Sequence, residues 1–301
     1  MTTSRVTIGV LVYNGGNTLR RAVESAVNQS HPECVIHISD DGSTDNSAEI
    51  GRALAAEYAN VTYYRQPENI GPPRNFRFLL QQADTPYFMW LAADDFIAPT
   101  YVERLLSELD RDPRLVTCAS KVHFIRRDEG SESSEDTYPL WGEGTYPLRG
   151  DVVTNLAKYL SSPNDNSRLY GLHRTAALRR AFTTDDFLIA FDWSIMASSL
   201  LYGCHAEVEE TLIVRDLTPD HAYMAMIRKH ARSRLERLLP VLPMTRHLIF
   251  RQRIPLRPPI LRALLHVNLQ MHLMYAWAFH PRYAARIGPP LQRHLLWRLR
   301  S

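Results

Sequence analysis

Along the first hundred positions, apolar residues recur in two alternating rhythms. Val6, Ile8, Val10 and Val12 follow a period of two, and Leu11 adds an apolar residue on the other side. A run that is apolar on both sides predicts a strand buried on both faces. Leu19, Ala22, Val23, Ala26 and Val27 then recur at helical spacing. Cys34 to Ile38 reads as a second strand. It runs into Asp40-Asp41-Gly42-Ser43-Thr44-Asp45, where Thr44 or Asp45 suits the cap of a helix over Ala48 to Tyr58. Val61 to Tyr64 reads as a third strand, Asn75 to Gln82 as a helix, and Tyr87 to Leu91 as a very apolar fourth strand. This alternation predicts an α/β fold with a mostly parallel sheet and helices on both faces. Ligands of such sheets bind beyond the carboxyl ends of the strands. Both acidic clusters, Asp40-Asp41 and Asp94-Asp95, follow strand ends.

The pattern then changes. Lys121 to Gly150 is first charged and Ser-rich, then rich in aromatics, Gly and Pro, and it reads as a loop or flap. Helix and strand signals return from Val152 to Val214. Beyond Asp220 the chain reads as helical, interrupted by Pro240, Pro243, Pro255, Pro258 and Pro259. The expected division is a domain over 1–220 and a helical extension over 221–301.

Charge sharpens that division. The 301 residues carry a net charge of +3. From Ile227 onward there are fifteen Lys or Arg residues against a single acid, Glu236, so this part carries +14 and the rest −11. A basic tail on an acidic body meets a different partner. Leu291, Leu295 and Leu299 share a helical face, with Arg293, Arg298 and Arg300 elsewhere. That pattern suits an amphipathic helix on anionic lipid. It equally suits a helical subdomain packed on the body or joining copies into an oligomer. No apolar run reaches the ~18 residues that a membrane span needs. The N-terminus shows no leader pattern. Cys34, Cys118 and Cys204 are odd in number and far apart, which speaks against a disulfide framework and a zinc site. The expectation is a reducing, cytoplasmic setting, with room for peripheral attachment to the inner face of a membrane.

The candidate chemistry lies in carboxylates. Adjacent Asp94 and Asp95 repel each other unless a cation or hydrogen bonds compensate. A hard divalent cation bridging phosphate oxygens would do so. The pair would also cap a helix near Tyr101. An inward-facing carboxylate in Asp40-Asp41 could accept a ring N–H of a nucleobase, with Gly42 allowing close backbone approach. The same residues would make a helix N-cap turn.

Taken together, Val6-Thr7-Ile8-Gly9-Val10-Leu11-Val12-Tyr13-Asn14, Asn28-Gln29, Ser39-Asp40-Asp41-Gly42-Ser43-Thr44-Asp45, Asn69-Ile70-Gly71 and Ala93-Asp94-Asp95 resemble the family 2 glycosyltransferases of GT-A fold. The likeness extends over about Val6 to Arg215. It implies a nucleoside-diphosphate sugar donor, UDP-sugar favoured, a divalent Mn or Mg ion, and inversion at the anomeric carbon. By position, it implies that Asp41 reads the base with Tyr13 packed near it, and that Asp40 accompanies Asp41. The same likeness implies that Asp95 binds the metal on the donor diphosphate and that Asp94 lies near the ribose and the metal's waters. Arg74 is a candidate for the donor phosphates, since guanidinium suits phosphate oxygens. It would otherwise be a surface arginine. Asp192, placed after His173-Arg174 in Ala190-Phe191-Asp192-Trp193-Ser194, corresponds to the catalytic base. Apolar Phe191 and Trp193 would raise its pKa and a helix N-terminus would lower it. Asp185 and Asp186 are the fallback. The acceptor implied is a glycan or lipid-linked saccharide; no nucleic acid is expected.

Three departures stand out. Leu11-Val12 replaces the family's common Pro-Thr or Pro-Ser, Ala92 replaces an Asp, and the surroundings of His221 match a third metal ligand poorly. Two rivals remain. One is a silent module that acts through its basic tail on membrane or nucleic acid. The other is a sugar nucleotidyltransferase, although Tyr13-Asn14-Gly15-Gly16-Asn17 lacks the basic residues which that class carries after its first strand.

Overall fold

The computed structural model describes residues 4–31, 33–125, 145–164, 166–183, 188–216 and 229–279. Its first part follows the alternation of the sequence. Strand β1 (Val6–Val12) leads to helix α1 (Gly16–Val27), then β2 (Cys34–Asp40), α2 (Ser47–Glu57), β3 (Val61–Arg65), α3 (Pro72–Gln82) and β4 (Tyr87–Ala92). Helix α3 starts earlier than the periodicity indicates, because Pro72 and Pro73 occupy its first turn, where no N–H partner is needed.

The second part brings β5 (Phe96–Ile97), α4 (Tyr101–Arg111), β6 (Leu115–Ile125), α5 (Val152–Ser161), a short 3₁₀ turn (Ser167–Tyr170), β7 (Leu172–Arg174), α6 (Thr175–Ala181), α7 (Phe191–Ser199) and β8 (Cys204–Asp216). One sheet of eight strands runs β3-β2-β1-β4-β7-β6-β8-β5. The pairs among β3, β2, β1 and β4 are parallel, as is β6 with β8, whereas β7 is antiparallel to both of its neighbours. The sheet is thus mixed, and its fold class is the α/β type read from the sequence.

Lys121–Ile125, read above as the start of a flap, continue β6 instead. Pairing with β8 half-buries them and satisfies their main chain. At the other end of that segment Leu148 bridges His205. Positions 126–144 lie outside the described residues.

Two apolar clusters flank the sheet. One face packs against α1, α2 and α4 through Leu19, Val23, Leu54, Val102 and Leu105. The other carries α3, α5, α6 and α7, and also the C-terminal helices α9 (Leu242–Phe250) and α10 (Pro258–Phe279), while the short α8 (Arg234–Leu238) buries no residue and its Leu238 carbonyl lies 2.7 Å from His272 Nδ1 of α10. Met244, Leu248, Ile260 and Val267 join one cluster with Phe76, Trp90, Leu156 and Ile195. Among the described residues no helix is long and apolar enough to cross a membrane. The stretch that contains Leu291, Leu295 and Leu299 lies outside the described residues.

Candidate active site

The site is built at the carboxyl ends of β2, β1 and β4. Register places Val12 beside Asp40 and Leu11 beside Ala92. With β1 between them, β2 and β4 stand about 10 Å apart at the usual strand spacing. Both acidic clusters therefore emerge on one edge, a sugar diphosphate's width apart.

The loops after β1 and β2 are stitched together. Asn14, in the left-handed region at φ 52, donates its N–H to Ser43 Oγ at 2.9 Å, and its own Oδ1 accepts from Thr44 N at 2.8 Å. Asp45 accepts from the N–H groups of Gly16 at 3.0 Å and Ser47 at 3.0 Å, so one carboxylate serves the starts of α1 and α2. Gly42 has φ +72, and a Cβ there would meet the main chain of Glu68 at 2.7 Å. Glycine is needed for this loop contact and for the turn itself.

Asp40 and Asp41 differ in surroundings. Asp40 is fully buried; its carboxylate accepts from Ser43 N at 2.7 Å and from the Tyr63 hydroxyl at 2.7 Å, which closes the loop. Asp41 accepts from the N–H groups of Ile70 at 2.7 Å and Gly71 at 3.1 Å. The Asn69-Ile70-Gly71 motif thus serves to hold Asp41. Burial raises the Asp41 carboxyl above its ordinary range, against the pull of these two amides. Tyr13, at the end of β1, is half-exposed beside this loop, and Arg74 is exposed on the first turn of α3.

Asp94 is exposed, whereas Asp95 is only 1% exposed. Asp95 Oδ2 takes Arg215 Nε at 3.2 Å, and Oδ1 takes Asp216 N at 3.0 Å. Burial pushes the Asp95 carboxyl upward, and Arg215 pulls it back. The Asp94 carboxylate accepts no hydrogen bond from the described residues. Among those residues no group of three or more His, Cys, Asp or Glu converges into a self-sufficient metal site. A magnesium-like ion needs only one or two carboxylates when waters and phosphates complete its shell. Of the pair, Asp94 is the carboxylate open to such an ion, since both Asp95 oxygens already accept from Arg215 and Asp216.

From Asp95 a line of contacts runs to Asp192. The Arg215 guanidinium lies 4.2 Å over the Tyr170 ring and donates to Ser167 Oγ at 3.0 Å. The neighbouring Asn166 donates from Nδ2 to Asp192 Oδ2 at 3.1 Å and accepts on Oδ1 from the Tyr159 hydroxyl at 2.7 Å. Asn166 is 1% exposed and left-handed at φ 56. The 3₁₀ turn that presents Asn166 and Ser167 is pinned by His173, whose Nε2 lies 2.9 Å from Leu169 O and whose Nδ1 lies 2.9 Å from Thr117 Oγ1. A carbonyl can only accept, so Nε2 carries the proton. Burial lowers this imidazole to about 4 and keeps it neutral. Asp192 sits in the first turn of α7, after Ala190 at φ 59. Burial raises its carboxyl above the ordinary range, and Asn166 opposes the rise.

A family model described as glycosyl transferase family 2 matches residues 7–180. The chain belongs to this family. An uncharacterized glycosyltransferase of Rickettsia typhi is 29% identical over 135 residues, which covers 41% of this chain and 41% of that protein. The match therefore spans well under two thirds of the relative's length. Two solved structures share the fold of this family 2 member. S. aureus TarS in complex with UDP-GlcNAc gives a TM-score of 0.56 at 12% identity, covering 92% of this chain and 82% of that one. A mannosyltransferase from Pyrobaculum calidifontis in complex with GDP-Man and Mn²⁺ gives 0.53 at 17% identity, covering 97% and 81%.

Arg215, Asn166, Ser167 and Tyr159 are absent from the sequence-based site. Arg215 had one usable signal, a basic residue that ends the strand-like Leu212-Ile213-Val214. Asn166 had none, because a left-handed residue before a 3₁₀ turn has no periodicity. The fallback residues Asp185 and Asp186, and His221, lie outside the described residues.

Proposed function

We propose that the chain transfers a sugar from a nucleoside-diphosphate sugar, UDP-sugar favoured, to a hydroxyl of a saccharide or lipid-linked saccharide, with inversion. The observation that carries this reading is the line Asp95–Arg215–Ser167, continued by Asn166–Asp192, with Asp41 two strands away on the same edge. Asp41 would accept the ring N–H of the base, with Tyr13 against its face. Asp40 shapes the loop behind them. Arg74 would meet the donor phosphates. Asp94 and Asp95 would hold Mn or Mg, which when bound offsets charge on the leaving diphosphate. The ligands named for the two solved structures support a nucleotide-sugar donor.

Asp192 would take the proton of the acceptor hydroxyl. A carboxyl raised by burial is better matched to that task near neutral pH. Asn166 binds one of its oxygens and fixes the direction of the other. Attack from the face opposite the diphosphate needs no covalent intermediate.

Contact with an anionic membrane would suit a lipid-linked acceptor. Leu235, Leu238, Phe250, Leu256, Leu261 and Leu265 are exposed amid Arg234, Arg237, Arg251, Arg253, Arg257 and Arg262. Exposed apolar residues set among cations support this reading.

The test is melting temperature and nucleotide release with UDP- and GDP-sugars, with Mn²⁺ or with EDTA. At least one nucleotide should stabilise the protein in the presence of metal, and EDTA should abolish release. Failure of every nucleotide to shift the melt would sink the reading.

A further inference from the structure

A cavity of about 300 Å³ opens among α9, residues 230–236 and the segment Leu188–Ile189. It shares no residue with the strand-end site. Among the described residues three guanidinium groups line it, those of Arg232, Arg246 and Arg251, against one carboxylate, that of Glu236. Glu236 is already committed. Its Oε2 accepts from Arg232 N at 2.7 Å while its own N–H donates to Ser233 Oγ at 3.1 Å, a reciprocal helix cap. His230 and His247 add to the polar lining. Burial and neighbouring cations, Lys229 and Arg251, hold both imidazoles below their usual range, so they are neutral near pH 7. The rest of the described wall is apolar: Leu188, Ile189, Pro243 and Phe250.

This lining is selective. Guanidinium forks match phosphate oxygens. An apolar wall gives nothing to a bare anion, which keeps more of its hydration in water. A pocket of this size with an apolar wall and a few convergent polar groups suits a small amphiphile. The position also matters. Ile189 lies three residues before Asp192, and three residues span at most ~10 Å. Thr183 accepts from Gln252 Nε2, just past α9, at 2.6 Å and lies 3.2 Å from Nε2 of His247 in α9. Leu188 and Ile189 of the pocket wall and the candidate base therefore lie on one short segment.

We propose that this pocket binds a phosphate ester bearing an apolar chain, the anchoring end of a lipid-phosphate acceptor whose sugar hydroxyl reaches Asp192. The assignment rests on the glycosyl-transfer reading for the word acceptor, but not for binding itself.

Calorimetric titration of the full chain with geranyl phosphate, geraniol and inorganic phosphate tests it without turnover. Geranyl phosphate should bind at least tenfold more tightly than inorganic phosphate, and geraniol should not bind measurably. Arg246→Ala/Arg251→Ala should weaken geranyl phosphate at least tenfold, and Arg246→Lys/Arg251→Lys should lose less. UDP or GDP affinity serves as the folding control and should stay unchanged. Equal binding by wild type and the Ala pair, inorganic phosphate as tight as the ester, or no binding of the ester would each overturn the proposal. Ester binding without any nucleotide binding would overturn the glycosyl-transfer reading alone.

Discussion

Asp41 receives its hydrogen bonds from the main-chain amides of Ile70 and Gly71, whereas Asp95 receives one from the amide of Asp216 and one from the Arg215 side chain. Asp192 relies on a side-chain amide, that of Asn166, which is oriented by Tyr159, beside the main-chain N–H of Trp193. Backbone donors are set by the fold and survive most substitutions. Side-chain donors vanish with one. The Asp41 end of the proposed site should therefore tolerate change nearby and bind nucleotide robustly. The Asp192 end should be tunable by single replacements.

The sharpest way to break this contrast is Asp192→Asn. Loss of a general base lowers kcat by about 10²–10⁴-fold. Nucleotide affinity should not move, as read by calorimetry beside the rate assay. Undiminished transfer would remove Asp192 as base, and a joint loss of nucleotide affinity would show that the two ends are not separable.

Next comes the element joining them. Asp95 and Arg215 are both largely buried, with side chains 2% and 16% exposed. Arg215→Met leaves a buried carboxylate with only one amide donor. Breaking one side of such a pair costs about 3–5 kcal/mol. Urea unfolding should show that loss, and Asp95→Asn combined with Arg215→Met should recover at least half of it. Stability unchanged in the single variant would mean that the pair holds nothing together.

The smallest effect tests the side-chain tether. Asn166→Gly keeps the left-handed backbone without strain but deletes the amide. Unsatisfied buried groups cost roughly 1–3 kcal/mol, so kcat should fall about tenfold at pH 7. The sign on pH follows from the shift. Burial already raises Asp192, and Asn166 lowers it again. Removing the amide raises it further, and a base works only when deprotonated. The acid limb of the kcat profile should therefore move to higher pH. A limb that stays in place would leave Asn166 a purely structural role.

The same contrast governs what could be read from the chain. β1 to β4 and both acidic clusters were legible because their signals are local: alternation, helical recurrence, and carboxylates directly after apolar runs. The candidate base, Asp192, came only from the family resemblance. Arg215 pairs with a residue 120 positions away, and Asn166 touches Asp192 across 26. No window of local pattern contains such pairs. Lys121 and His123 look like loop residues because their polarity is conspicuous. Only β8, far along the chain, makes them a strand.

The C-terminal helices have a practical consequence. Met244, Leu248, Ile260 and Val267 sit in one oily seam with Leu156 and with Ile195 of the helix that carries Asp192. Ending the chain near position 220 would wet that seam and yield a sticky, misassembled protein, not a trimmed enzyme. Questions about lipid adhesion must therefore be put to full-length protein, by exchanging surface arginines for neutral residues and leaving the leucines that seal the seam in place.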